Sequence, residues 1–227
     1  MRVIRGRGDS VEADRAVTRR MLDWVAESET PAVRVWTPHR QVAFGRRDAT
    51  APGYEQARRA AETHGFPPIE RSVGGRAVAY TGTTVAFARA VPVADTRTGL
   101  NDRYDALTAD VQAGLSQLGV HATAGEPPDS FCPGAHSLQA SGKLVGIAQR
   151  IQRGAALVAG ICVVTDHEEI AAVLTEVYDA LDVPFDPDSV GSVERAGGPA
   201  DPQATIDALE AALAGSGDHD VVPVRDV

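Results

Sequence analysis

The residues best suited to chemistry in this chain are a cysteine in a loop and its single lysine. Cys132 lies in the segment SFCPGAH, residues 130–136, where proline and glycine favour an exposed loop. Lys143 follows eleven residues later at the start of an apolar run, and the other 21 basic residues are arginine. A thiolate readily takes up and releases acyl groups, and a nearby ammonium favours the thiolate. The spacing brings the two together only if the chain folds back; an ordinary loop cysteine is the alternative.

A pair of glycines is the second candidate. Gly74 and Gly75 follow a predicted strand, and because they lack a Cβ atom the backbone there can approach a ligand closely. Arg71 and Arg76 flank the pair, and each could bind a carboxylate or phosphate through its planar guanidinium. The segment is neither a Walker loop nor a dinucleotide fingerprint. A hairpin bend with no ligand is the alternative interpretation.

The second cysteine and the histidines give weaker signals. Cys162 stands in a continuous apolar run, which is typical of a small core residue. His136 is four residues from Cys132 and is a candidate general base, as in Cys–His sites. The six histidines show no metal-ligand spacing, so no metal site is expected.

Composition and charge exclude several classes of protein. The 227 residues are 43% hydrophobic and 23% charged, which is typical of a globular protein. The net charge of −9 argues against non-specific binding to nucleic acid. The sequence has neither an apolar run long enough to span a membrane nor a signal-peptide pattern, so a cytoplasmic protein is expected. The acidic surplus and the replacement of lysine by arginine resemble proteins of halophilic archaea; a bias in genomic base composition is the alternative source of the replacement.

The elements that must position these residues are strands clustered in the middle of the sequence, with helices before, between and after them. Hydrophobic periodicity and capping residues, including Asp166 as an N-cap, predict helices over 10–28, 53–64, 101–118, 167–181 and 203–214. Strands are predicted over 32–36, 41–45 and 69–73, in a strand-rich stretch that ends at residue 93, and in a segment that begins at residue 120. Residues 143–150 and 155–164 are predicted to form a hairpin. This order favours an α+β or mixed α/β fold with one domain over 1–215. The acidic tail, 216–227, is expected to fray.

The glycine and lysine segments together resemble the lipoate–protein ligase and octanoyltransferase family, which is more distantly related to biotin–protein ligases. The resemblance spans about residues 10–195 and is carried by RSVGGRAV at 71–78, GKLVGIAQR at 142–150 and VRVWTPHRQVAFG at 33–45. It implies a central mixed sheet with packed helices and a role for Lys143 in contacting the acyl carbonyl. It also implies that the acyl site is walled by Arg71, Gly74, Gly75, Arg76, Ala77, Gly146 and Ala148.

The family resemblance also separates two kinds of chemistry. Its ligases activate free lipoate with ATP and Mg, whereas its transferases take octanoyl from acyl carrier protein or from the glycine-cleavage H protein and hold it as a cysteine thioester. The segment SFCPGAHSL, 130–138, looks like the loop that bears that cysteine. Arg76 replaces a glycine of the ligase pattern, and YTGTT at 80–84 replaces its Asp-x-Gly-Asn. Both departures favour acyl transfer without a cofactor.

The sequence therefore predicts a cysteine-dependent octanoyl or lipoyl acyltransferase. Cys132 is expected to be the nucleophile and Lys143 the carbonyl-binding cation. The expected donor is octanoyl-acyl carrier protein or an octanoyl or lipoyl H protein. The acceptor is the lipoyl domain of a 2-oxoacid dehydrogenase or an H protein. The alternatives are an ATP-dependent lipoate–protein ligase, a biotin ligase, and a non-catalytic subunit of a split ligase that binds lipoyl domains or acyl carriers.

Overall fold

The computed structural model describes residues 1–71 and 74–227, so Ser72 and Val73 of the predicted strand 69–73 lie outside the described residues. The strands are β1 Arg2–Arg5, β2 Ala32–Trp36, β3 Gln41–Phe44, β4 Pro68–Glu70, β5 Val78–Tyr80, β6 Val85–Val93, β7 Thr123–Ala124, β8 Ser137–Gln139, β9 Lys143–Gln152, β10 Gly154–Cys162 and β11 Asp220–Pro223. The helices are α1 Val11–Ser28, α2 Arg46–Ala49, α3 Tyr54–Thr63, α4 Leu100–Gln117, α5 His167–Ala180 and α6 Pro202–Ala214. Short 3₁₀ turns cover Pro187–Ser189 and Val224–Asp226.

A large mixed sheet forms the centre of the molecule. Its strands lie in the order β11-β1-β2-β6-β10-β9-β8-β7. β1 runs parallel to both β2 and β11, and the remaining neighbours are antiparallel. A smaller sheet, ordered β4-β3-β5, packs beside it. The prediction of a mixed sheet with packed helices is confirmed.

Side-chain alternation along the strands decides which helix covers each face of the large sheet. Successive strand residues point to opposite faces, so Ala88 and Ala90 of β6 face α1, whereas Val85 and Phe87 face α4 and α6. Small alanines on one face let α1 lie close to the sheet. The apolar stripe of α1 is completely removed from solvent at Met21 and Val25, among others. Each such residue contributes roughly 1.5–3 kcal/mol by burial.

A third apolar cluster joins the small sheet to the remaining helices. Val42 and Phe44 of β3 point away from the large sheet and pack against α3 and α5. Phe44 meets Tyr54 of α3 edge to face, with ring centroids 5.2 Å apart. The opposite face of β3 carries Gln41 and Ala43 and is left free to line a cavity between the two sheets.

Most predicted elements are present, and four differ in a physically informative way. The 10–28 helix is confirmed, with Ser10 Oγ accepting from Ala13 N–H as its N-cap. Asp166 is not a side-chain cap of α5, because its carboxylate accepts from Thr83 Oγ1 instead. The strand expected from residue 120 is limited to β7. β1 was not predicted, and the tail expected to fray instead forms β11, paired with β1.

One further property of the helices bears on the class of protein. No helix in residues 1–71 and 74–227 is both long and apolar enough to cross a membrane. The two longest, α1 and α4, each span 18 residues, and each carries several charged side chains.

Candidate active site

A cavity of about 770 Å³ lies between the small sheet and the large one. α1 closes one side of it, and β6, β9 and β10 form its floor. Much of its wall is apolar and comes from Ala43, Val78, Ala86, Leu157 and Ile161. Five of the residues predicted for the acyl site also contribute to this wall, namely Cys132, Lys143, Arg71, Gly146 and Ala148.

The backbone of Cys132 is held on both sides of its Cα atom. Its φ is +42°, in the left-handed region that is uncommon for residues other than glycine. The Cys132 N–H donates to the Tyr178 hydroxyl at 2.6 Å, and the Cys132 carbonyl accepts from Lys143 Nζ at 2.9 Å. These two hydrogen bonds stabilise a conformation that would otherwise cost about 1–3 kcal/mol.

The sulfur of Cys132 faces donors from the glycine segment. The Arg76 N–H points to Sγ at 3.4 Å, and the Arg71 guanidinium lies 3.8 Å from it. Gly75, with φ of +92°, passes so close that a Cβ atom there would lie 2.8 Å from Sγ. The glycine at this position therefore lets the backbone N–H of Arg76 reach the sulfur. Positive charge and N–H dipoles in this place suit a developing oxyanion.

Lys143 is buried beneath the cysteine loop, with 1% of its surface exposed. Its ammonium donates to Glu126 Oε2 at 2.7 Å, to the Phe131 carbonyl at 2.8 Å and to the Cys132 carbonyl at 2.9 Å. An ammonium has three protons, so all of them are engaged. In this structure Lys143 thus holds the loop that carries Cys132. Its predicted contact with an acyl carbonyl requires one of these three partners to be exchanged.

Glu126 connects several parts of the loop at once. One carboxylate oxygen accepts from the Gly134 N–H at 2.9 Å; the other accepts from Ser137 Oγ at 2.8 Å and from Lys143. Burial alone would raise the pKa of Glu126, but the hydrogen bonds from Lys143, Ser137 and Gly134 outweigh it and lower the pKa below the ordinary value. Glu126 therefore stays ionised beside the ammonium.

Tyr178 of α5 links the cysteine loop to the glycine segment. Its hydroxyl donates to the Ala77 carbonyl at 3.0 Å while accepting from the Cys132 N–H. Burial raises the pKa of Tyr178, so the hydroxyl keeps the proton that it donates to Ala77. One buried side chain thus fixes the distance between the two segments that the sequence singled out.

The other residues predicted for the wall, Gly74, Gly75, Arg76 and Ala77, do not border the cavity. The Arg76 side chain pairs with the fully buried carboxylate of Asp48 at 3.1 Å, and only its backbone faces Cys132. A Cβ atom on Gly74 would meet open space. Ala77 is completely buried and contributes its carbonyl to Tyr178. Gly146 and Ala148 lie on β9, where the absence of large side chains leaves the cavity open.

The other candidates take structural positions. Cys162 is fully buried, and burial raises the pKa of its thiol to about 12, which confirms its interpretation as a core residue. The ring of His136 stacks on Tyr104, with centroids 3.6 Å apart. Within residues 1–71 and 74–227, no three His, Cys, Asp or Glu side chains are grouped as they would be around a metal ion.

Sequence reasoning missed Glu126 and Tyr178. Glu126 occupies a loop rich in glycine, proline and aspartate, where one carboxylate carries no distinctive pattern. Tyr178 shares its helical spacing with the apolar residues of α5, which is the pattern of a core residue. Both contact residues that are 8 to 101 positions away in the chain, and a local pattern does not contain such contacts.

Comparisons with known proteins support the same family. Residues 11–214 match the family model for the lipoyl protein ligase A/B catalytic domain. An octanoyl-[GcvH]:protein N-octanoyltransferase from Kyrpidia tusciae is 33% identical over 150 residues, which are 66% of this chain and 50% of that protein. The transferase of the same name from Lysinibacillus sphaericus is 27% identical over 151 residues, 66% of this chain and 54% of its own length. The chain thus spans about half the length of these curated relatives.

A solved structure supports the fold over nearly the whole chain. Lipoate-protein ligase A bound with ATP superposes with a TM-score of 0.75 at 20% identity and covers 97% of this chain and 88% of its own. At this identity the likeness shows the architecture alone. Since the family model matches residues 11–214 of the 227, the chain belongs to the lipoyl protein ligase A/B catalytic domain family.

Proposed function

We propose that this chain transfers an octanoyl or lipoyl group to a lysine of a lipoyl-domain protein through a thioester on Cys132. The observation that carries the proposal is the environment of the Cys132 sulfur. It borders an apolar cavity and faces the Arg76 N–H and the Arg71 guanidinium. A nucleophile, a slot for an acyl chain and donors for a developing oxyanion are thus together in one place.

In the first step, the Cys132 sulfur attacks the carbonyl carbon of the donor's acyl group. A C–S bond forms, and the bond from that carbon to the donor's nitrogen or sulfur breaks. The proton of the thiol leaves with the donor's amine or thiol. The carbonyl oxygen carries negative charge in the tetrahedral intermediate, and each donor directed at it is worth a few kcal/mol. The Arg76 N–H and the Arg71 guanidinium are suitably placed beside the sulfur.

In the second step, the neutral amine of the acceptor lysine attacks the thioester carbon. A C–N bond forms, the C–S bond breaks, and the proton released by the amine returns the sulfur to the thiol. The transfer consumes no nucleotide, because the energy of the acyl bond passes from donor to acceptor. Dividing one transfer into two exchanges at a thiolate lowers each barrier.

The cavity suits the tail of the acyl group. Ala43, Val78, Ala86 and Ile161 present apolar surface along it, and Gly146 leaves room on β9. Burial of each methylene contributes about 0.8 kcal/mol, so an octanoyl chain gains roughly 5 kcal/mol before ordering costs. The same apolar wall restricts water around the thioester.

The partners follow from the chemistry and from the relatives. The two transferases described above act on GcvH, and we infer that an octanoyl or lipoyl H protein is a substrate here. Arg15 and Arg19 of α1 and Arg150 of β9 line the cavity at partly or fully exposed positions. These arginines provide positive charge on a chain whose net charge is −9, and they suit an acidic carrier protein.

The test is mass spectrometry of the protein after incubation with octanoyl-H protein or octanoyl-acyl carrier protein. We expect an increase of about 126 Da on the peptide that contains Cys132, as a thioester intermediate requires. Cys132→Ser should lose both the adduct and the transfer, whereas the matched variant Cys162→Ala should keep both. Transfer at the full rate by Cys132→Ser would refute the proposal.

The same experiment separates the alternatives. Pyrophosphate release that depends on lipoate and ATP, and that persists in Cys132→Ser, would indicate a ligase. Tight binding of a lipoyl domain without transfer from either donor would indicate a non-catalytic binding subunit.

A further inference from the structure

We propose that Glu126 is the positioning residue of the acyl-transfer site and acts, directly and through Lys143, on the loop that bears Cys132. The inference rests on the proposed function of Cys132. Glu126 does not border the cavity. The residues that line the cavity on this side are those that Glu126 or Lys143 holds, namely Cys132, Gly134, Ser137 and Lys143 itself. Glu126 is therefore not expected to touch the acyl group.

The contacts of Glu126 hold both flanks of the cysteine. On the C-terminal side, its carboxylate accepts from the Gly134 N–H at 2.9 Å and from Ser137 Oγ at 2.8 Å. On the N-terminal side it acts through Lys143, whose ammonium donates to the Phe131 and Cys132 carbonyls. Removal of the carboxylate would thus release the loop at both ends of a segment whose cysteine has a left-handed φ.

The charge of Glu126 is needed as well as its shape. A lysine with 1% of its surface exposed loses most of its hydration, so its charge needs a partner of opposite sign. Only the ammonium has three protons to donate, and Glu126 is its carboxylate partner at 2.7 Å. The lowered pKa of Glu126 agrees with this pairing. A neutral amide at position 126 would leave a buried charge without a counter-ion, which is strongly unfavourable.

A matched control is present in the same loop. Asp129 lies three residues after Glu126, is exposed, and has a φ of +50°, a conformation that asparagine also tolerates. Asp129→Asn therefore makes the same change of charge in the same loop without touching Lys143. It should leave transfer and stability as in the parent protein.

The experiment compares Glu126→Gln with Asp129→Asn in single-turnover transfer from octanoyl-H protein. We expect Glu126→Gln to lower the transfer rate about 10²-fold, as for a misplaced nucleophile, while KM for the donor changes by less than about threefold. Part of the effect of Glu126 passes through Lys143, so Glu126→Gln combined with Lys143→Met should lower the rate by less than the product of the two single losses. A rate for Glu126→Gln within about threefold of the parent, or losses that multiply in the double variant, would overturn the proposal.

Two further measurements keep the test decisive. If Glu126→Gln does not fold, Ser137→Ala replaces it as the test, because it removes one hydrogen bond to the carboxylate. We expect Ser137→Ala to lower the transfer rate about 5- to 10-fold. An unchanged rate would count against the proposal. Hydrogen exchange of the 130–137 peptide needs no acyl donor. It should rise at least about tenfold in Glu126→Gln and not in Asp129→Asn. If the parent forms no adduct on Cys132 but exchange still rises, the function of Cys132 fails while the positioning of its loop stands; unchanged exchange refutes the positioning.

Discussion

Gly75→Ala is the substitution that most directly probes the approach of the glycine segment to the sulfur of Cys132. The new methyl group would lie 2.8 Å from Sγ and 3.3 Å from the Arg71 guanidinium. Ordinary van der Waals contact begins near 3.4 Å, so the sulfur or the backbone must move by about 0.6 Å. The φ of +92° at Gly75 also lies in a region that alanine rarely adopts.

The size of the effect follows from these two costs. A left-handed conformation costs a residue with a Cβ atom roughly 1–2 kcal/mol. In a protein of this size that corresponds to a fall in Tm of about 2–8 °C. A displacement of the nucleophile approaching 1 Å can cost about 10²-fold in rate. We therefore expect Gly75→Ala to fold, to melt a few degrees lower, and to lose about 10- to 100-fold of its acyl transfer.

The adjacent glycine provides the control. A Cβ atom on Gly74 meets no atom within 4 Å, and no left-handed φ requires glycine there. Gly74→Ala should keep transfer within about threefold and stability within about 0.5 kcal/mol. The assays are single-turnover transfer from octanoyl-H protein and thermal unfolding. The reasoning is refuted if Gly75→Ala transfers at the rate of the parent protein, or if Gly74→Ala loses as much.

Three more predictions concern the residues around Cys132. Lys143→Arg keeps the charge but puts a larger planar group at a site with 1% exposure. Acyl transfer should therefore fall about 10²-fold, and the free energy of unfolding measured in urea should fall by about 1–3 kcal/mol. Full transfer would contradict the idea that only a slim ammonium fits there. Tyr178→Phe removes the hydrogen bonds to Cys132 N–H and the Ala77 carbonyl, and the free energy of unfolding should fall by about 1–3 kcal/mol, with slower transfer. The pKa of Glu126 is lowered in the folded protein, so its contribution to stability is present above 4.5 and is lost as the pH falls through the folded value. The difference in Tm between the parent and Glu126→Gln should therefore shrink below pH 4.5, and a difference that stays constant would contradict the ion pair.

Local sequence patterns were sufficient to predict the helices and strands that are specified by their own residues and near neighbours. The period of α1 and its Ser10 cap, and the hairpin that turns at Gly154, both depend on contacts within a few positions. Strand β1 has only four residues, with arginine at each end, and pairs with residues 218 positions away, so nothing nearby indicates it. Asp166 has the side chain of a good cap, but Thr83 from a distant turn takes its carboxylate.

The candidate site was predictable in its residues and not in its connections. The loop cysteine, the lone lysine and the glycine pair were recognisable from composition and spacing. The sequence does not show that the ammonium of Lys143 donates all of its protons to Glu126 and to the loop carbonyls. That arrangement depends on how the loop folds back over β9. Whether Cys132 and Lys143 act in catalysis remains a prediction for the variants above.

The parallel pairing of β1 with β11 sets the order in which the sheet can be completed during synthesis. Arg2 of β1 pairs with Asp220 of β11, and their side chains are joined across 218 positions of sequence. β1 can pair with β2 as soon as residues 32–36 have emerged, but its other backbone edge stays open until residues 220–223 leave the ribosome. An open strand edge is a template for pairing with another chain. Nascent chains stalled before residue 220 should therefore aggregate more readily than released chains, although the cavity and the cysteine loop are already encoded in them.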